Sequence, residues 1–192
     1  MQHQFTSQQL DKIGNTIVYL SNGVGNLSKT KILKLLFLVE ESSFKLFGYP
    51  FFGVDFQIWK FGPVIKDVYI DLSEESPVLL HKFIEKEFDY FKSISLFNDD
   101  EFSDNDIYLM DKIIAFAKNK SATALVEYTH DENSLWKKSA IKHGVLEDLL
   151  SQRLNSTDKN IDFGLLFEEN EFMRERLNNS IENMQFIYSL KK

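Results

Sequence analysis

The chain has 192 residues, no cysteine and a net charge of −7. The missing cysteines exclude disulfides, zinc–thiolate sites and thiol nucleophiles, and the acidic balance argues against broad nucleic-acid binding, whose affinity comes from Lys and Arg meeting phosphates. A hydrophobic share of 43% and a charged share of 27% are those of one globular domain; the polar start Met1-Gln-His-Gln-Phe-Thr6 and the lack of an 18-residue apolar run predict no secretory signal, no membrane span and a cytoplasmic setting.

In chain order, Ser7 is placed to cap a first helix whose Leu10, Ile13, Ile17 and Leu20 share one face at three- and four-residue spacing. Asn22-Gly23 and Gly25 break it. Ser28 caps a second helix over Lys29–Phe47, closed by Gly48. Its middle, Ile32-Leu-Lys-Leu-Leu-Phe-Leu-Val39, is apolar almost all round and predicts the central buried helix. β formers follow in Phe56-Gln-Ile-Trp-Lys-Phe61, and Tyr49-Pro-Phe-Phe-Gly53 ahead of them predicts a short two-stranded hairpin near residues 50–61. Gly62 closes the strand and Pro63 starts a helix through Val64, Val68 and Leu72. Ser76-Pro77 repeats that pattern before a helix over Val78–Phe88. Residues 89–102 read as a variable connection. Ser103, Ser121 and Asn133 or Ser134 cap three more helices, with Ile107, Met110, Ile114 and Ala117 on the inner face of the first and Gly144 ending the last. Residues 145–154 look helical, 155–164 look like a polar loop, and 168–190 read as a final amphipathic helix. The expected fold is mainly α: a single compact domain of seven or eight helices around the central one. Residues 1–145 form that domain, and 146–192 a helical C-terminal extension packed on it.

The chemistry motifs are sparse. Gly23-Val-Gly25-Asn-Leu-Ser28 has two of the three glycines of a dinucleotide-binding turn, but it follows a helix, whereas such a turn leaves a strand. Ser28-Lys-Thr-Lys31 mimics a serine-enzyme motif, yet the same spacing recurs at Ser134/Lys137, Ser139/Lys142 and Ser189/Lys192, and no Lys-Thr-Gly follows. Of the histidines His3, His81, His130 and His143, only His130-Asp131-Glu132 with His143 suggests a metal or acid–base cluster. The simpler reading has Asp131 and Glu132 stabilising the positive end of the next helix. Glu40-Glu41, Glu74-Glu75 and Glu168-Glu169 read as exposed faces, and Lys29, Lys31 and Lys34 as a cluster at one end of the second helix, balanced by acids elsewhere. Charge is lopsided. Residues 1–92 carry ten basic and eleven acidic groups and 93–192 twelve and eighteen, so the C-terminal half suits a basic partner.

The most unusual string is Phe56-Gln-Ile-Trp-Lys-Phe-Gly-Pro-Val-Ile-Lys-Asp-Val-Tyr69. It resembles the signature of the Panacea antitoxin domain, the SocA/GepA-like family of phage-associated bacterial antitoxins, whose members carry Trp-Lys-Tyr-Gly-Pro-Val and then Val-Tyr. Three further blocks agree in order. Leu27-Ser-Lys-Thr-Lys-Ile-Leu-Lys-Leu-Leu-Phe37 resembles the family's Leu-Thr-x-x-Lys-Leu-Gln-Lys-Leu-Leu-Tyr helix, and Leu46-Phe-Gly-Tyr-Pro-Phe-Phe52 its Gly-x-Pro-Leu-Phe turn. Leu125–Lys138 resembles its block of Ser/Thr-His-x-Glu-x-Pro-Trp. The likeness runs from Ser7 to Gly144, with Phe61 in place of the usual tyrosine, Leu135 where a proline is common and Ser139 where an alanine is usual.

The resemblance implies a helical, non-enzymatic antitoxin that neutralises a cognate toxin by direct contact, with no cofactor, metal or membrane. One family member is a proteolytic adaptor, which would add a protease as partner. The residues singled out as partner contacts are Trp59, Lys60, Phe61, Pro63, His130, Glu132 and Trp136; the buried aromatic ones among them better suit a role in holding the fold, while Lys60 and His130 suit either role equally. Two alternatives stay open: a metal-dependent or acid–base enzyme using His130, Asp131, Glu132 and His143, and an adaptor that delivers the toxin for degradation.

Overall fold

A computed structural model describes residues 5–25 and 27–167, with positions 172, 174, 175, 179, 180 and 182 beyond them. The described chain is mainly helical. Helix α1, Ser7–Val24, is capped one residue earlier than expected, by Thr6: Thr6 Oγ1 accepts the Gln9 amide at 3.1 Å, while Gln9 Oε1 accepts the Thr6 amide at 3.0 Å. This reciprocal box satisfies two amides that a lone Ser7 would leave free. Helix α2, Lys29–Phe47, begins at Ser28, whose hydroxyl accepts the Lys31 amide, and ends at Gly48 with φ 74°. Every residue from Ile32 to Glu41 is buried, and α2 packs against α1, α4 (Asp104–Ala117) and α5 (Ala122–Thr129). Serines 103, 121 and 134 each accept an amide at the start of α4, α5 and α6 (Leu135–Lys142), as short hydroxyl side chains do at helix starts. Helices α3 (Lys66–Asp71) and α7 (Leu146–Leu150) are short, and Phe163–Phe167 is a 3-10 turn.

Two small antiparallel sheets depart from the expected layout. In the first, β1 (Leu27–Ser28) pairs with β5 (Tyr90–Ser93), which pairs with β4 (Ile84–Glu87). The expected helix over Val78–Phe88 is therefore a turn followed by a strand, and the connection at 89–102 contains the central strand of a sheet. The reason is tertiary. The buried carboxylate of Asp71 accepts the amides of Val78, Leu79 and Leu80 at 2.7, 2.7 and 3.1 Å, closing a turn where a helix was expected to start, and β5 then supplies a complete partner for β4.

The second sheet is the hairpin. Its first strand, β2 (Gln57–Trp59), falls within the expected 50–61, but its partner is β3 (Gly62–Val64) after the turn and not the stretch at 49–53 before it. Pro63 starts no helix; it sits in β3 opposite Ile58, an edge position where a residue without an N–H is tolerated. Residues 49–53 instead form a turn closed by Glu40, whose Oε2 accepts the amides of Phe51 and Phe52 at 2.9 and 2.8 Å. Glu40 and Glu41 are thus buried, not exposed as their pairing suggested. Burial pushes the Glu40 carboxyl up to about 7, although the two amides and nearby Lys12 pull the other way.

The β4–β5 turn carries a second departure from local rules. Phe88 holds φ 57° at a tip where it is 90% exposed, a left-handed conformation that costs a residue with a Cβ roughly 1–2 kcal/mol. Phe88→Gly is expected to raise stability by about 0.5–1 kcal/mol, since the entropy of glycine offsets part of the relief. A urea titration of both proteins checks this, and a lower midpoint for the glycine variant would contradict it.

After α7 the chain straps the outer side of β2. The amides of Ile58 and Lys60 donate to Lys159 O and Asn155 O, and the Ile161 amide donates to Phe56 O at 2.7 Å. The final helix expected over 168–190 lies outside the described residues except at six positions. Among the described residues no helix is long and apolar enough to cross a membrane.

Candidate functional site

The strings that stood out in the sequence meet at the β2–β3 turn, Lys60-Phe61. Gly62 leaves that turn with φ 98°, a conformation that strains any residue with a Cβ, and a Cβ there would also press to 2.7 Å from Lys34 Nζ. The backbone carbonyls on either side are each received by a side chain from a different helix. The Trp136 indole N–H of α6 donates to Trp59 O at 2.9 Å, and Lys34 Nζ of α2 donates to Pro63 O at 3.1 Å. His130, at the end of α5, places Nε2 2.9 Å from Lys60 O and Nδ1 2.7 Å from Val126 O. Its ring lies against that of Trp136, with centroids 4.0 Å apart. Turn carbonyls have no ladder partner, so buried ones require such donors. Three helices therefore hold one hairpin in a fixed pose.

This separates the seven candidate residues. Trp136 is 1% exposed and holds the hairpin from α6, and Pro63 is buried within the hairpin's own second strand. Trp59 is half-buried, packed edge-on against Tyr69 with centroids 4.7 Å apart, and donates from its indole to Gln57. Lys60 holds its ammonium 4.9 Å over the Phe61 ring, and Phe61 is 63% exposed. Glu132 is exposed and pairs with Lys137 at 2.5 Å. Of the seven, Lys60, Phe61 and Trp59 offer surface at the hairpin, and Glu132 offers surface in the turn after α5.

The cluster imagined for metal or acid–base chemistry is taken up by these structural contacts. Both His130 nitrogens face carbonyl oxygens, and a neutral imidazole can donate from only one of them; neither nitrogen is directed at open space. Asp131 accepts the Asn133 amide at 3.1 Å, and His143 is the exposed residue that ends α6. Among the described residues no three His, Asp or Glu side chains gather closely enough to hold a metal ion.

Beside the hairpin lies a cleft of about 470 Å³. One wall is the first turns of α2, with Lys29, Leu33 and Lys34; the other is Trp59, Phe61 and Tyr69. Lys29 Nζ lies 4.4 Å over the Tyr69 ring and 3.1 Å from Ser73 Oγ. Lys34 is 1% exposed, and burial alone pushes its ammonium down to about 7. The sequence grouped Lys34 with Lys29 and Lys31, both half-buried, and gave no sign of its burial by position in that cluster alone. The signal lay in its neighbours: Lys34 interrupts an otherwise unbroken apolar run, Ile32–Val39.

A sequence model of the family described as Antitoxin SocA-like, Panacea domain, matches residues 32–137. That span runs from the turn of α2 preceding Lys34 to the residue after Trp136, and so contains Lys34, His130 and Trp136, the three helix side chains that hold the hairpin. No curated protein and no solved structure matches the chain.

Proposed function

The chain belongs to the family of SocA-like antitoxins with a Panacea domain, and on that basis we propose that it is an antitoxin which neutralises a cognate toxin by binding it directly. The observation that carries this reading is the family match itself, over the stretch that builds the locked hairpin. A pre-organised surface of this kind suits binding, because little conformational entropy is lost when the partner docks. In this reading residues 1–145 form the antitoxin domain and 146–192 an added segment. The protein works in the cytoplasm by stoichiometric occlusion and not by catalysis. The acidic 93–192 half favours encounter with a basic toxin.

The test is growth rescue. The gene next to this one is expressed in a host with and without the protein, and the pair is then co-purified. Toxicity relieved by the protein, with a stable complex of defined stoichiometry, is the expected result. Toxicity that is not relieved, or relief without any complex, would overturn direct neutralisation. Relief that disappears in a host lacking its ATP-dependent proteases would favour the adaptor alternative.

A further inference from the structure

The cleft against the hairpin has the opposite electrostatic character from the rest of the molecule. The protein carries −7 overall, yet Lys29 and Lys34 line this cleft and, among the described residues, no Asp or Glu does. Among the described residues Lys34 Nζ makes one hydrogen bond, to the neutral carbonyl of Pro63, although an ammonium has three protons to donate. A buried amine without a counter-charge is costly unless something anionic comes to it. The opening turn of the 19-residue α2, from which Lys29 projects, adds the positive end of a helix dipole. The opposite wall is apolar: Trp59 and Tyr69 in edge-to-face contact, and Phe61, whose ring remains largely in water at the rim. The volume falls within the ordinary range of specific binding pockets, roughly 300–1,000 Å³; it admits a bulky side chain or two, not a helix.

We propose that this cleft receives an acidic side chain of the cognate toxin carried beside an apolar one, the carboxylate facing Lys29 and Lys34 and the apolar neighbour packing on Phe61 and Trp59. The proposal rests on the antitoxin reading and makes it specific. A toxin that is basic over most of its surface docks here through an acidic anchor, which sets register and selectivity where the general charge attraction cannot.

The experiment measures the affinity of the full chain for a catalytically inactivated form of the toxin encoded beside it, by calorimetry at fixed ionic strength. Phe61→Ala and Lys29→Glu are each expected to weaken binding at least tenfold, with thermal midpoints close to that of the parent. Lys82→Glu, which reverses an exposed lysine outside the cleft, is expected to change affinity less than twofold. A scan of Asp and Glu to Lys on the toxin is expected to find one position whose lost affinity Lys29→Glu restores. Unchanged affinity in Phe61→Ala and Lys29→Glu, equal weakening by Lys82→Glu, or no charge-swap rescue overturns the acidic anchor while leaving the antitoxin reading intact. Failure of the parent protein to bind the toxin at all overturns the antitoxin reading, and the anchor with it.

Discussion

Trp136→Ala is expected to cost about 3–5 kcal/mol of folding stability, the range for deleting a large buried aromatic side chain. The indole is 1% exposed, lies against His130 with ring centroids 4.0 Å apart, and holds Trp59 O at 2.9 Å. Alanine would leave both a cavity and an unpaired carbonyl. Against a total stability of roughly 5–15 kcal/mol for a domain, that loss is a large fraction of the whole. Trp136→Phe keeps most of the apolar volume but not the N–H, so about 1–2 kcal/mol is expected from the lost hydrogen bond and the smaller ring. Urea unfolding of the three proteins separates packing from hydrogen bonding. An alanine variant within 1 kcal/mol of the parent would mean that the hairpin does not depend on α6.

The second large effect is a pH dependence centred on Lys34. Its ammonium is pushed down from 10.5 to about 7 in the fold by burial. Between those values the unfolded chain binds more protons at this site than the folded one, so stability rises as pH increases from 7 to 10.5. Below 7 both states are charged and the full penalty applies. Lys34→Met removes the titration while filling the space with an apolar chain of similar reach. The expected result is a stability difference between variant and parent that favours methionine at pH 7 and shrinks, by on the order of 4 kcal/mol, toward pH 10.5. Other groups titrate in both proteins and cancel in the difference. Parallel stability curves would show that the fold does not depress the amine, which then stays charged at neutral pH without a penalty from burial. Glu40 runs with the opposite slope: its carboxyl, raised from 4.5 to about 7, takes stability away as pH rises across that interval.

The buried ionisable pair on one helix explains where reading from residues succeeds and where it stops. Helix α2 was legible from end to end, Lys29 to Phe47, because its cap, its apolar run and its closing glycine are local signals. The starts of α4, α5 and α6 were legible for the same reason, since a serine hydroxyl reaches only three residues ahead. The family was legible too, in the order of four short strings.

Sequence by itself thus determined the helical class, the main helix and the first strand of the hairpin, all set by interactions within a few positions along the chain. Tertiary structure decided what those positions do. Pro63 became a strand residue because Gly62 turns at positive φ over Lys34. Val78–Phe88 lost its helix because Asp71 captures three of its amides and β5 offers a ladder. Glu40, Lys34 and His130 look like surface or catalytic groups in the chain and Trp136 like a partner contact or a packing residue; all four act as braces in the fold, each binding backbone 11 to 77 residues away. A buried polar side chain takes its role from the unpaired carbonyl or amide it meets, and that meeting is arranged only when the helices pack.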